Sequence, residues 1–369
     1  MEQKKKIIYF AIILVSLVIL FVPLITHNHI YQGVALGRDT EKTFIPFMNS
    51  ATEGASLVEL VQRSPYLGLA VTMWCLGIIN KVLHMDPGLL FFLYSSLILI
   101  GVALTMYYLG KLVGGVRTGW IVMVMGLLCS TSVFALYSVG CIVNIINVYI
   151  VFLWAVMLLA KWRERHKWYW LVSGVALLAL FTVWHPTGAY LPFTVAILLV
   201  GLMISWLITK KKVNWIYICT IIIGLLGSSF LVWHNVEAIY VNAVGFGGDT
   251  YIGYLLHFFH VFLVPAPTVI SIMVIVALWR CKRTVTFNGV TKDILAVLVC
   301  LLVLLVVTAL LRVTVLPGRQ IVDASGVLAI ITGIVLGRLV VEKNLYWLKL
   351  ISYALMIVAS LITLWAWVI

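Results

Sequence analysis

Charge is what this chain has least of. Only 10% of its 369 residues are Asp, Glu, Lys or Arg, against about 25% in ordinary soluble domains. Acids are scarcer still, 12 against 25 bases. With 64% hydrophobic residues, the polar surface is too small to coat a soluble fold of this length, so lipid must act as solvent for much of the chain. Cysteine is sparse and badly spaced for a framework. Cys75, Cys129, Cys141, Cys219 and Cys300 lie in apolar runs, Cys281 lies in a basic cluster, and no CxxC pair occurs. That pattern argues against a disulfide scaffold or a zinc site and leaves buried thiols as the default. The net charge of +13 comes without a basic stripe interleaved with aromatics, so nucleic acid is not the expected partner. The Lys and Arg residues instead form short clusters between apolar runs, where the positive-inside rule puts them.

What is present is a succession of apolar runs near 7–26, 66–84, 88–110, 118–138, 141–160, 168–184, 187–209, 215–234, 258–279, 293–312, 320–340 and 346–368. Their length suits a helix that crosses a bilayer, which takes about 20 residues. Helices are the only open-chain way to satisfy every backbone group in lipid. The expected fold is therefore all-α: one polytopic transmembrane bundle over 1–369 of about eleven helices (ten to twelve), with no soluble domain. The first run follows Lys4-Lys5-Lys6, has no small-residue cleavage site after it, and reads as an uncleaved helix with the N-terminus in the cytoplasm of a cell-membrane protein.

The basic clusters Lys4–Lys6, Lys161–Lys167, Lys210–Lys212 and Arg280–Arg283 are expected on the cytoplasmic side. From Lys161 onward the alternation closes. Before it, four apolar runs stand where an odd number of crossings is needed after the first helix. One run must fail to cross. The preferred break is Tyr137 to Asn147, weakened by Gly140, Asn144 and Asn147. If 66–84 is the broken run instead, Lys111 and Arg117 fall inside. The sequence leaves both open.

The candidate chemistry gathers on the outer side. The segment 27–64 is the longest polar stretch, and a loop of that length in a compact bundle is usually functional. Within it, Ser56 to Arg63 reads as a short interfacial helix. It also carries Gly37-Arg38-Asp39-Thr40-Glu41. Two carboxylates at i and i+2 in a loop can converge on a cation or share acid–base work; a solvated charge pair is the bland alternative. Thr182-Val183-Trp184-His185-Pro186-Thr187 puts His185 at a helix junction, because Pro186 suits a helix start. His185 could bind a phosphate or a sugar hydroxyl, or simply cap the interface. Arg312 and Arg319 flank Pro317-Gly318, with Asp323 after them. An arginine fork at a cavity mouth suits phosphate; snorkelling arginines paired with Asp323 are the alternative. The loop from Glu237 to His260 holds Gly245-Phe246-Gly247-Gly248-Asp249 and suits either a mobile lid or a plain connection. Six of the eight histidines fall on this side (His27, His29, His185, His234, His257 and His260), but without metal-ligand spacing.

In this arrangement the chain resembles the GT-C glycosyltransferases, polytopic enzymes that use polyprenyl-phosphate sugars. Asp39-Thr40-Glu41 is similar in type and place to the acidic motif of that family's first outer loop. Ser64-Pro65-Tyr66-Leu67 is similar to the proline-tyrosine stretch opening its second helix. The run from Tyr107 through Lys111 to Gly115 looks like its small-residue and basic pattern, and Thr182 to Thr187 resembles another recurrent stretch. The resemblance covers about residues 1–210, leaving 211–369 as variable C-terminal helices. Where the family often has a second acidic residue, Tyr137 to Tyr149 offers only Asn144 and Asn147.

The resemblance implies transfer of a sugar, with inversion, from a polyprenyl-phosphate donor to a glycan, lipid or protein acceptor at the outer face. Asp39 would take the acceptor proton, and Glu41 would orient it or help hold a divalent cation such as Mg²⁺ or Mn²⁺. Arg312, Arg319, His185, Arg38 and Asn144 would contact substrate. The rival readings are a lipid or oligosaccharide transporter or flippase, which needs charge at mid-membrane depth, and a non-catalytic relative.

Overall fold

The computed structural model describes residues 43–64, 66–128, 143, 146–184, 219, 222–223, 226, 265–280, 286–310 and 317–368. Among these the chain is helical and contains no strand. Four helices are long and apolar enough to cross a membrane, and several shorter apolar helices accompany them.

Two short helices come first. α1 spans Ile45–Thr52 and α2 spans Leu57–Arg63. The expected helix after Ser56 is present, and its start is dictated locally. The Ser56 hydroxyl accepts from the Glu59 N–H, while the Glu59 carboxylate accepts from the Ser56 N–H at 2.7 Å. This reciprocal capping box satisfies two donors that a helix start leaves orphaned. α3 follows over Leu67–Leu83 and ends on His84 in the left-handed conformation (φ 50°).

Pro87–Leu128 is 42 residues long. A straight helix of that length would measure roughly 63 Å, twice a bilayer core. It is in fact two helices, α4 (87–114) and α5 (116–128), folded back on each other at Gly115. Asp86 caps α4, accepting from the Leu89 N–H at 2.9 Å, with Pro87 in the first helical position where its missing N–H costs nothing. Gly115 has φ 83° and ψ −177°, a combination essentially restricted to glycine. The sequence led to the expectation of a connection across 111–117; one residue makes the turn.

The hairpin closes through small side chains. A methyl added at Gly110 would strike Thr118, Gly119 and Val122, and one at Gly126 would strike Met106. Gly114 likewise faces Thr118. Gly110 and Gly114 thus form a G-x-x-x-G edge that lets two helices approach closely.

α6 covers Ile146–Arg165, with π-helical turns over Ile146–Phe152, and pairs with α7 (Trp168–Trp184) around His166, another left-handed cap. α8 (Pro265–Arg280), α9 (Gly289–Leu310), α10 (Pro317–Lys343) and α11 (Tyr346–Val368) complete the described set. α10 lies against the hairpin. Its Gly333 meets Val122 and Met125, and its Gly337 meets Thr118. Thr118 is therefore enclosed by glycines from both neighbours and is fully buried.

One end of the bundle collects the cations. The Thr291 hydroxyl, at the start of α9, lies 3.1 Å from the Val113 carbonyl beside the Gly115 turn. Arg163 at the end of α6 pairs with Asp293 of α9. Arg338 near the end of α10 donates to the Thr286 carbonyl at 3.0 Å, and Glu342 accepts from the Thr286 N–H at 3.0 Å. Lys111 and Arg117 therefore share an end with Lys161–Lys167, Arg338 and Lys343.

α3 lies away from the basic end. Its Gly68 packs on Trp184, the last described residue of α7, which starts beside Lys167 at the basic end. Its other end is joined through 84–86 to the start of α4, about 40 Å from the Gly115 turn. Of the two candidate breaks, the run 66–84 is described throughout as α3. The rival break at Tyr137 to Asn147 lies largely outside the described residues.

Lipid-facing character is visible on α4. Leu89, Leu93, Leu97, Ile100, Leu104 and Tyr108 are exposed at three- and four-residue steps. The stripe runs roughly 28 Å, close to the thickness of a hydrocarbon core.

Candidate functional site

Arg38, Asp39, Glu41, Asn144, His185 and Arg312 lie outside the described residues, and Arg319 is described only through the backbone of α10. The six histidines of the outer side and the glycine loop before His260 also lie outside them. Among the described residues no group of three His, Cys, Asp or Glu could hold a metal ion.

The described flanks of these candidates converge on the far end. Phe44, three residues after Glu41, is buried with its ring 5.8 Å from Phe91 near the start of α4. Met48 and Ala51 of α1 seat against Gly77 of α3, and the Thr52 hydroxyl lies 3.3 Å from the Gly77 carbonyl. Asn80 of α3 is buried too, with no hydrogen-bond partner for its Oδ1. The acidic tripeptide is therefore followed, from Phe44 on, by packed helices. α1 packs on α3 and on the top of α4; α2 follows, bound to α3 through Leu60 and Ala70.

Ser64, Tyr66 and Leu67 join α2 to α3. The Ser64 hydroxyl donates to the Tyr66 carbonyl at 2.7 Å and lies 3.3 Å from the Tyr66 N–H. Tyr66 is the extended residue before α3. Tyr66 and Leu67 of this stretch thus open a helix.

The start of the Thr182–Thr187 stretch is tied to α6. Asn147 is fully buried in the π-helical turns, and its Nδ2 donates to the Phe181 carbonyl at 3.1 Å. The Thr182 hydroxyl donates back to the Ala179 carbonyl at 2.6 Å. A helix end leaves its last carbonyls without intrahelical donors. An asparagine from the neighbouring helix supplies one to Phe181. π-helical turns recur at functional positions because they widen a helix and re-aim its side chains. Sequence reading marked Asn147 as a weak point of an apolar run. Its bond to α7 was not legible, because nothing in a linear pattern pairs 147 with 181.

Asp323 is the other residue whose setting the sequence left open. It lies in the first third of α10 and is fully buried beside Ser325, the only buried carboxylate among the described residues. The far end carries Glu53, Glu59 and Asp86 among its described acids. The Ser56 backbone and hydroxyl hold the Glu59 carboxyl below its ordinary range.

No known family's model matches the chain, and comparison with curated proteins finds no significant match.

Proposed function

We propose that the protein is a multi-pass membrane glycosyltransferase of the cell envelope that moves a sugar from a polyprenyl-phosphate donor to an acceptor at the outer face. The observation that carries this reading is the packed α1–α2–α3 platform immediately after Asp39-Thr40-Glu41, at the same end as Trp184 and the tie from Asn147 to α7. Proton abstraction needs a positioned base, and a packed platform directly after the acidic tripeptide supports that reading. Asp39 is the base and Glu41 its orienting or cation-holding partner. Arg312 and Arg319 neutralise the leaving phosphate, a charge-stabilising role worth several kcal/mol of barrier in other enzymes. His185, Arg38 and Asn144 complete the contacts.

The same proposal fixes a topology. The basic end is cytoplasmic, the first helix exits, and 66–84 stays on the outer side as α3. α4, α5 with its continuation, α6 and each later run then cross in turn. Eleven crossings result, with the N-terminus inside and the C-terminus outside.

The test is sugar transfer in membranes from a deletion strain complemented with the full chain. Asp39→Asn is expected to lower transfer by 10²-fold or more, in line with the 10²–10⁴ typical of general-base help, at unchanged expression. Lipid-linked donor should accumulate. Full transfer by Asp39→Asn sinks the assignment.

A second reading, a lipid or oligosaccharide transporter, draws on the burial of Asp323, since ionisable residues inside the membrane commonly mark transport paths. It is favoured if Asp323→Asn abolishes function while Asp39→Asn does not.

A further inference from the structure

α4 and α6 run side by side in the same direction. Gly101 faces Ile150 and Thr105 accepts from the Trp154 indole at 3.1 Å, a constant offset of 49 residues. Continued by two turns, that offset sets Leu112 beside Lys161, with Lys111 at the same level. The seam between them is open to lipid. Before its exposed charged end at Arg163–Arg165, α6 is buried except on one face, where Ile146, Ile150, Trp154 and Lys161 are partly exposed. Across the seam Tyr108 is 46% exposed and Lys111 is exposed. Tyr108 and Trp154 meet with ring centroids 6.1 Å apart, forming a floor. Lys111 Nζ stands 5.9 Å from the Tyr108 ring, and Lys161 Nζ stands 4.9 Å from the Trp170 ring.

The two ammonium groups differ from the paired arginines of the same end, although Lys167 and Lys349 also stand over aromatic rings. Arg163 is occupied by Asp293, and Arg338 by Glu342 and the Thr286 carbonyl. Lys111 and Lys161 rest on aromatic faces, which orient a cation without neutralising it. Above them runs the exposed stripe Leu97, Ile100, Leu104, Tyr108, a track for an acyl chain ending at two positive charges.

We infer that this seam is a headgroup site for one anionic phospholipid of the leaflet at the basic end, its phosphate held by Lys111 and Lys161 and an acyl chain laid along α4. The inference needs only that the bundle is embedded in lipid; it does not depend on sugar transfer. A polybasic site near a membrane surface gains about 1 kcal/mol per lysine from anionic lipid, so the pair gives about a thirtyfold preference over a zwitterionic lipid.

The full-length protein, purified in mild detergent, is titrated with phosphatidylglycerol against phosphatidylcholine, and bound lipid is counted by native mass spectrometry. The tightest-bound phosphatidylglycerol is expected to weaken about thirtyfold in K111Q/K161Q. It should be kept in K111R/K161R, which also controls for folding. The K292Q/K343Q variant removes as much charge from the same end and is expected to bind normally. The proposal is overturned if K111Q/K161Q keeps its preference. It is equally overturned if K292Q/K343Q loses as much, which would mean diffuse attraction to a basic surface rather than a site, or if K111R/K161R behaves like the glutamine pair.

Discussion

The two ends of the described bundle are built by different means. At the basic end, three helices approach through glycine around Thr118, and polar ties then cross-link their tips: Thr291 to Val113, Arg163 to Asp293, and the Arg338–Glu342 grip on both sides of the Thr286 peptide. At the far end, α3 leans on the bundle through Gly68 and Trp184 and is backed by two short helices rather than by long ones. The first end is fixed by close packing and holds the candidate lipid seam. The second is assembled from short pieces beside the candidate chemistry. Short elements open more readily than long ones, so the two ends are expected to differ in stability.

Substitution at the basic end should test this division hardest. Gly337→Leu drives a branched side chain into Thr118, where even a methyl does not fit. Overpacking of this kind costs about 1–3 kcal/mol or more, and here it separates α10 from the α4–α5 hairpin. A large fall in the thermal midpoint of the detergent-solubilised protein is expected, with loss of monodispersity. Near-normal melting would show that the basic end is not the stable one.

Gly68→Leu should act more locally. It collides with Trp184, so α3 shifts while the hairpin and α10 stay packed. The thermal midpoint is expected to move by no more than a few degrees. Limited proteolysis between 53 and 66 should accelerate severalfold. If global melting falls as far as in Gly337→Leu, the far end is not an independent unit.

The smallest effect concerns pH. Because the Glu59 carboxyl is held below its ordinary range by Ser56, its contribution to α2 is present above the unfolded carboxylate pKa and is lost as pH falls through the lower folded value. Proteolysis at α2 should therefore quicken below about pH 4. In Glu59→Gln this acid-dependent step should vanish. An unchanged pH profile in the variant would assign the step to another group.

Much of the helical layout was legible in the sequence because a long apolar run states its environment directly. The runs 66–84, 168–184 and 346–368 match α3, α7 and α11 to within a residue. The helix after Ser56 was legible as a short interfacial segment, and the structure adds the capping box that starts it. Direction was not. Apolarity says that a segment suits lipid but not that it comes out on the other side, so the proposed uncrossed run draws on the contact of Gly68 with Trp184. The Gly115 turn was hidden for a related reason. Lys111 and Arg117 suggested a polar connection of several residues, whereas both flank a turn of one glycine. The candidate site was legible as residue types, Asp39 and Glu41 above all, and those residues fall before the first described helix.

α3 also thickens one end of the described bundle. Among the described residues, α1, α2 and α3 add girth at the far end that the basic end does not match. A bilayer around such a shape must give up more area in one leaflet than in the other, and lateral pressure then bears on α3 directly. Thinning or stretching the leaflet at the far end would loosen the seat of Gly68 on Trp184 before it disturbed Thr118. The platform that follows the acidic tripeptide would thus respond to the mechanical state of the surrounding lipid while the glycine-packed end stayed rigid.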